Sequence, residues 1–104
     1  MDTVSYKLRY TRDFVDDLCR IIDYISITLD SPEAAQRLAE DVRAAIHQRS
    51  FMPTAYEPYH SHVQLNNVYY RLRVRNYTVF YVVLEDVMEV RRILYTRRNW
   101  KALL

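Results

Sequence analysis

Arg71, Arg73 and Arg75 occupy alternate positions in the first half of the run from Tyr69 to Leu84, YYRLRVRNYTVFYVVL. Successive side chains of a strand point to opposite faces, so the spacing predicts the three guanidiniums on one face and Tyr70, Leu72 and Val74 on the other. Like charges about 7 Å apart on one strand repel, so the row persists at low cost only when solvated or facing something negative. The chemistry on offer is anion recognition, with phosphate the first candidate and a carboxylate-rich peptide the second. Arginine suits either better than lysine, because its planar fork donates two parallel hydrogen bonds. Arg91, Arg92, Arg97, Arg98 and Lys101 follow in the sequence. The candidate binding surface comprises Arg71, Arg73, Arg75, Arg91, Arg97, Arg98 and Trp100. Tyr69, Tyr81 and Tyr95 could add stacking faces.

Other chemistries find little support. His47, His60 and His62 are the histidines, and His60-x-His62 has no third ligand at a supporting spacing, so no metal is expected. A phosphate-cradling glycine loop is excluded because the chain has no glycine. No Ser/His/Asp signature is present. Cys19, the single cysteine, sits in a helix-periodic segment and reads as a buried structural thiol. With no cofactor motif, no signal peptide and no apolar run near membrane-spanning length, the expectation is a cofactor-free, soluble, cytoplasmic protein with no membrane partner. The net charge of +2 hides an asymmetry: residues 1–52 carry seven basic and nine acidic residues, residues 53–104 eight and four. The positive field belongs to the second half.

The elements that must position the arginines follow from periodicity. Residues 5–10 alternate and predict a strand. Thr11 is a plausible helix cap, and Phe14, Leu18, Ile21, Ile22, Ile25 and Leu29 recur at helical spacing, predicting a helix over 12–28. Ser31 and Pro32 restart the chain as cap and first helical residue. Ala35, Leu38, Val42, Ala45, Ile46 and Arg49 then stripe a second helix ending near Ser50. Two helices joined so briefly form an antiparallel hairpin, and both stripes need a sheet to lie on. Residues 51–63, broken by Pro53 and Pro58, read as a loop. Turns at 66–67, 75–76 and 85–86 separate the later strands, the last over 87–95. Without glycine, Asn67, Asn76 and Asp86 are expected at the positive-φ positions. The result is a single α+β domain over 1–104: a first strand and a helical hairpin on one face of a mainly antiparallel sheet, with the arginine row on the other.

The segments Tyr10-Thr11, Asp30-Ser31-Pro32-Glu33-Ala34-Ala35, RVRNYTVFY at 73–81 and RILYTRRNW at 92–100 together resemble the RelE/ParE superfamily of bacterial toxins, from type II toxin-antitoxin, or plasmid stabilisation, modules. The similarity covers nearly the whole chain. It implies a small α+β toxin neutralised by a cognate antitoxin that wraps it, with operator DNA reached only through the antitoxin complex. RelE-like members cleave mRNA on the ribosome, and ParE-like members inhibit DNA gyrase. The nuclease members usually carry an arginine directly after the tyrosine of the asparagine-tyrosine hairpin, where this chain has Thr78. Their C-terminal catalytic tyrosine has no clear match, Leu103 falling near its place, while Arg71 and Arg97 match basic positions. The resemblance therefore implies a ParE-like gyrase inhibitor. The alternatives are a ribosome-dependent endoribonuclease using Arg71, Arg97 and Tyr95, and a degenerate toxin that only binds antitoxin and operator.

Overall fold

A computed structural model describes residues 5–59, 67–98 and 103–104. The elements are β1 (Lys7–Tyr10), α1 (Arg12–Asp23) continued by a π-helical turn (Tyr24–Thr28), α2 (Pro32–Arg49), β2 (Tyr70–Val74), β3 (Tyr77–Leu84) and β4 (Val87–Tyr95). The sheet runs β1-β4-β3-β2. β1 lies parallel to β4 and the other pairs are antiparallel. This is the expected α+β architecture, with the helical hairpin on one face.

The amphipathic stripes explain the packing. In α2, Ala35, Leu38, Val42 and Ile46 are each at most 2% exposed. Leu38, Val42 and Ile46 meet Phe14 of α1 and the inward side chains Leu72, Val74, Val79, Tyr81, Met88, Val90 and Ile93. Burying each aliphatic side chain of this set is worth about 1.5–3 kcal/mol, which is what holds the hairpin to the sheet. Pro32 opens α2 as expected, although Ser31 makes no side-chain capping bond. Thr11 does cap α1: its hydroxyl accepts from the Phe14 N–H at 3.2 Å and donates to the Arg91 carbonyl at 2.8 Å.

Four expectations are corrected. The first helix widens into a π turn, with the Leu29 N–H bonded to the Tyr24 carbonyl. The extra residue rotates Leu29 out of the stripe, leaving it 55% exposed. Cys19 is exposed, one residue beyond the buried stripe on α1. Among the described residues the positive-φ positions are Asp30, Arg75 and Glu85, not Asn67, Asn76 or Asp86. In both two-residue hairpin loops the first loop residue takes positive φ, as the primed hairpin turns require, and their twist matches the flanking strands. Finally, the predicted alternation of Val90, Arg92 and Leu94 breaks. A bulge shifts the β3/β4 register between Phe80 and Tyr81, whose partners are Arg92 and Val90. Arg91 is the extra residue, so Val90 faces the helices while Arg92 and Leu94 face away.

The face opposite the helices is drier than a simple alternation implies. Tyr69, Phe80, Val82 and Leu94 form a second cluster, covered by Tyr59, Leu84, Leu103 and Leu104. Accordingly β3 is buried on both sides, which its unbroken apolar run from Val79 to Leu84 reflects.

Candidate functional site

The structure sorts the arginines by partner. Arg71 and Arg73 pair in register with Phe80 and Thr78 and stand exposed on the face away from the helices. The Arg71 guanidinium lies 5.2 Å from the Tyr59 ring centroid. Arg73 donates Nε–H to the Arg75 carbonyl at 2.9 Å. Arg75, at the positive-φ turn, leaves the row and reaches the helix layer, where it meets Asp41 of α2 at 2.6 Å. Arg91 is held by Glu89 at 2.8 Å, by Asn67 Oδ1 and by the Tyr69 hydroxyl. Arg97 and Arg98 are exposed in the turn after β4. Trp100, and the histidines His60 and His62, lie outside the described residues. Of the arginines of the candidate surface, Arg71, Arg73, Arg97 and Arg98 make no ion pair among the described residues, so on this surface they carry the charge open to a partner.

Tyr95 stands on the other side of the sheet from Arg71 and Arg73. It pairs with Tyr77, whose ring packs on the helix-side core, and the two rings meet edge to face at 6.0 Å. The arrangement therefore brings Arg71 and Arg73 together and does not bring Tyr95 to them. Thr78 is 3% exposed and its hydroxyl is bonded to the Thr96 hydroxyl at 3.0 Å. That bond and the Thr96 N–H to Asn76 carbonyl bond tie the start of the Arg97–Arg98 turn to the hairpin that carries Arg73.

Two further groups position the surface in roles that the sequence alone did not show. Arg49, at the end of α2, donates to the Arg71 carbonyl at 3.0 Å and to the Tyr81 hydroxyl at 2.9 Å. It also lies 3.5 Å from the Tyr56 ring centroid. Tyr81 in turn donates to the Pro53 carbonyl at 2.7 Å. Burial pushes the Tyr81 phenol up, against the lowering effect of Arg49, so it remains a donor. Asp17 is the second group, 4% exposed on α1. Past Tyr10 the first strand ends, and the open edge of β4 is taken by α1. The Asp17 carboxylate accepts the Ile93 N–H at 3.2 Å and two bonds from Arg92, at 2.6 and 2.9 Å. The Asp17 bond raises the Arg92 pKa, opposed by burial. The signal was legible in principle: an acid at the i+3 position from Phe14 and the i−4 position from Ile21 lies on the apolar stripe.

Glu89 bridges Arg9 of β1 at 2.6 Å and Arg91 at 2.8 Å. Burial alone would raise its pKa, but the hydrogen bonds from Arg91 and Arg9 win and hold it below the usual glutamate value. Among the described residues no group of His, Cys, Asp or Glu could hold a metal ion, and no helix is long and apolar enough to cross a membrane.

Residues 8–100 match the family described as the ParE toxin of the type II toxin-antitoxin system, parDE. The chain belongs to the ParE toxin family. Its fold recurs in solved structures of both branches of the superfamily. The chromosomal ParDE toxin-antitoxin system of P. aeruginosa gives a TM-score of 0.74 at 19% identity, over 89% of this chain and 98% of the other. The RelB-RelE antitoxin-toxin complex of Methanococcus jannaschii gives 0.51 at 21% identity, over 92% and 99%. The archaeal RelE-RelB complex of Pyrococcus horikoshii OT3 gives 0.53 at 16% identity, over 92% and 100%. No curated protein sequence matches significantly. This ParE-family chain thus keeps the fold while its sequence has diverged far from these solved relatives.

Proposed function

We propose that the chain is a ParE-like toxin that inhibits DNA gyrase through a binding surface, does no chemistry itself, and is neutralised in the cytoplasm by a cognate antitoxin. The carrying observation is Thr78. Where the resembling nucleases usually carry an arginine directly after the hairpin tyrosine, this chain has a buried hydroxyl bonded to Thr96. A nuclease acting on RNA needs a proton acceptor and a proton donor near its positive groups. Tyr95, the candidate for that role, is across the sheet from Arg71 and Arg73.

Arg71, Arg73, Arg97 and Arg98, with Trp100 beside them in the sequence, are the contacts proposed for gyrase or antitoxin. An antitoxin segment rich in carboxylates would neutralise them as it orders on binding. Operator DNA is reached only through that complex. Induced expression in a bacterial host tests the reading: growth should stop with a DNA-damage response while messages stay intact. Replacing Arg71, Arg73 and Arg97 together by alanine should abolish the arrest without unfolding the protein. Codon-positioned cuts in mRNA would replace this reading with the endoribonuclease that uses Arg71, Arg97 and Tyr95. Harmless expression with tight antitoxin binding would replace it with a degenerate toxin.

A further inference from the structure

Away from the arginine surface, a cleft of about 310 Å³ opens in the helix layer between the start of α1 and the second half of α2. Its floor is the core itself: Phe14 and Leu18 of α1, Val42 and Ile46 of α2. Its walls are Tyr10 at the end of β1, Val15, Ala39 and Arg43. Tyr10 is 44% exposed and Val15 46%, so apolar surface continuous with the core lies open to water. Ala39 brings only a methyl group to the wall, and the gap between the helices stays unfilled.

One polar feature breaks this apolar lining. Arg43 is exposed at the mouth and makes no ion pair among the described residues. The acids beside it in α2 are engaged elsewhere: Glu40 accepts from Gln36 at 3.3 Å, and Asp41 holds Arg75 at 2.6 Å. No carboxylate lines the cleft. Tyr10 stacks on Phe14 with ring centroids 5.4 Å apart, which fixes its ring at the wall. Burial pushes its phenol up, against the lowering effect of the Arg43 charge, so the hydroxyl stays a donor at neutral pH. A guanidinium without an acid and a phenolic O–H at the rim of an apolar crevice match one chemistry, a carboxylate head on an apolar chain.

The dimensions choose among occupants. At about 30 Å³ for each water-sized group, the cleft holds about ten heavy atoms, the size of an eight-carbon acid. An α-helix is about 10 Å across with its side chains and would lie over such a crevice without filling it. A second copy docked about a twofold axis would bring its own Arg43 toward this one, and like charges repel. Leu18, Val42 and Ile46 give the floor a branched aliphatic relief, which a flexible chain follows better than a flat ring.

We infer that this cleft binds a medium-chain aliphatic carboxylate, its chain on Phe14, Leu18, Val42 and Ile46 and its head group on Arg43 and the Tyr10 hydroxyl. The site uses none of the residues proposed to contact gyrase or antitoxin, and it stands whichever target the toxin has.

The test titrates the full chain with hexanoate, octanoate and neutral octanol by calorimetry. Octanoate should bind tighter than hexanoate by about fourfold for each added methylene. Arg43→Gln should weaken octanoate about tenfold and leave octanol within about twofold, since only the acid uses the charge. Ala39→Leu, which fills the cleft from a helix position that favours leucine, should weaken both ligands by about tenfold or more. Both variants should keep the wild-type thermal melt. Arg37→Gln, elsewhere on the exposed side of α2, should bind octanoate within about twofold of wild type. If Ala39→Leu fails to fold, the chain-length series and Arg43→Gln decide alone. No saturable binding of octanoate, affinity that ignores chain length, or binding that the cleft variants leave unchanged would each overturn the inference. A concentration-dependent dimer that Ala39→Leu dissolves would overturn it in favour of a second copy. A leucine-glutamate amphipathic helix that binds through Arg43 where octanoate does not would overturn it in favour of a protein partner.

Discussion

Asp17→Ala is expected to be the most destabilising single change among the charged residues described here. The carboxylate is 3% exposed and Arg92 17%. Truncating it strands the Arg92 guanidinium and the buried Ile93 N–H together, and uncoupling one member of a buried pair costs about 3–5 kcal/mol. The unfolding entropy near the melting point is about 2.1 cal/mol/K per residue, or about 0.22 kcal/mol/K for a chain this long. The melting temperature should therefore fall by roughly 14–23 °C. Urea unfolding should show the same loss without a change in slope, since little surface is altered. Adding Arg92→Met to Asp17→Ala should recover part of the loss, because the orphaned charge is removed along with its partner. A loss under about 1 kcal/mol, or a double variant worse than the sum of the singles, would refute the reasoning. The first result would mean that water reaches the pair; the second, that Arg92 is held mainly by the Leu103 carbonyl, to which it also donates at 2.7 Å.

Glu85→Gly should raise stability by about 1 kcal/mol, since φ is 56° at Glu85 and a left-handed conformation costs a non-glycine residue about 1–2 kcal/mol; a lower urea midpoint would contradict the turn assignment. Tyr81→Phe should cost about 1–3 kcal/mol by leaving the Arg49 donor and the Pro53 carbonyl unpaired, read by the same urea titration. Glu89 has a folded pKa below its unfolded one, so its stabilisation is present above the ordinary glutamate value of about 4.3 and is lost as pH falls through the folded value. Glu89→Gln should accordingly be less stable at pH 7 and show a shallower acid limb in a stability-pH curve; superimposable curves would rule out the bridge.

The helices and strands were legible because their periods are clean. Phe14, Leu38, Val42 and Ile46 fall on one stripe or the other and are all buried. What the sequence hid were features that depend on a one-residue offset or on two distant elements meeting. The β4 bulge cannot be seen from Val90-Arg91-Arg92 alone, because a strand that slips by one residue has the same composition. Arg75 read as part of the arginine row until a positive φ turned it toward Asp41. Asp17 and Arg92 are 75 residues apart, and neither announces the other. For the site, residue type told the chemistry, anion recognition, but pairing decided availability: Arg91 and Arg92 look like Arg71 and Arg73 in sequence, yet carboxylates hold the first two.

Gyrase supercoiling and ribosome-bound mRNA cleavage, assayed in parallel with the purified protein, test the central claim most directly. The account predicts blocked supercoiling with intact mRNA, and restored supercoiling when Arg71, Arg73 and Arg97 are replaced by alanine. Codon-positioned mRNA cuts with supercoiling untouched would contradict it.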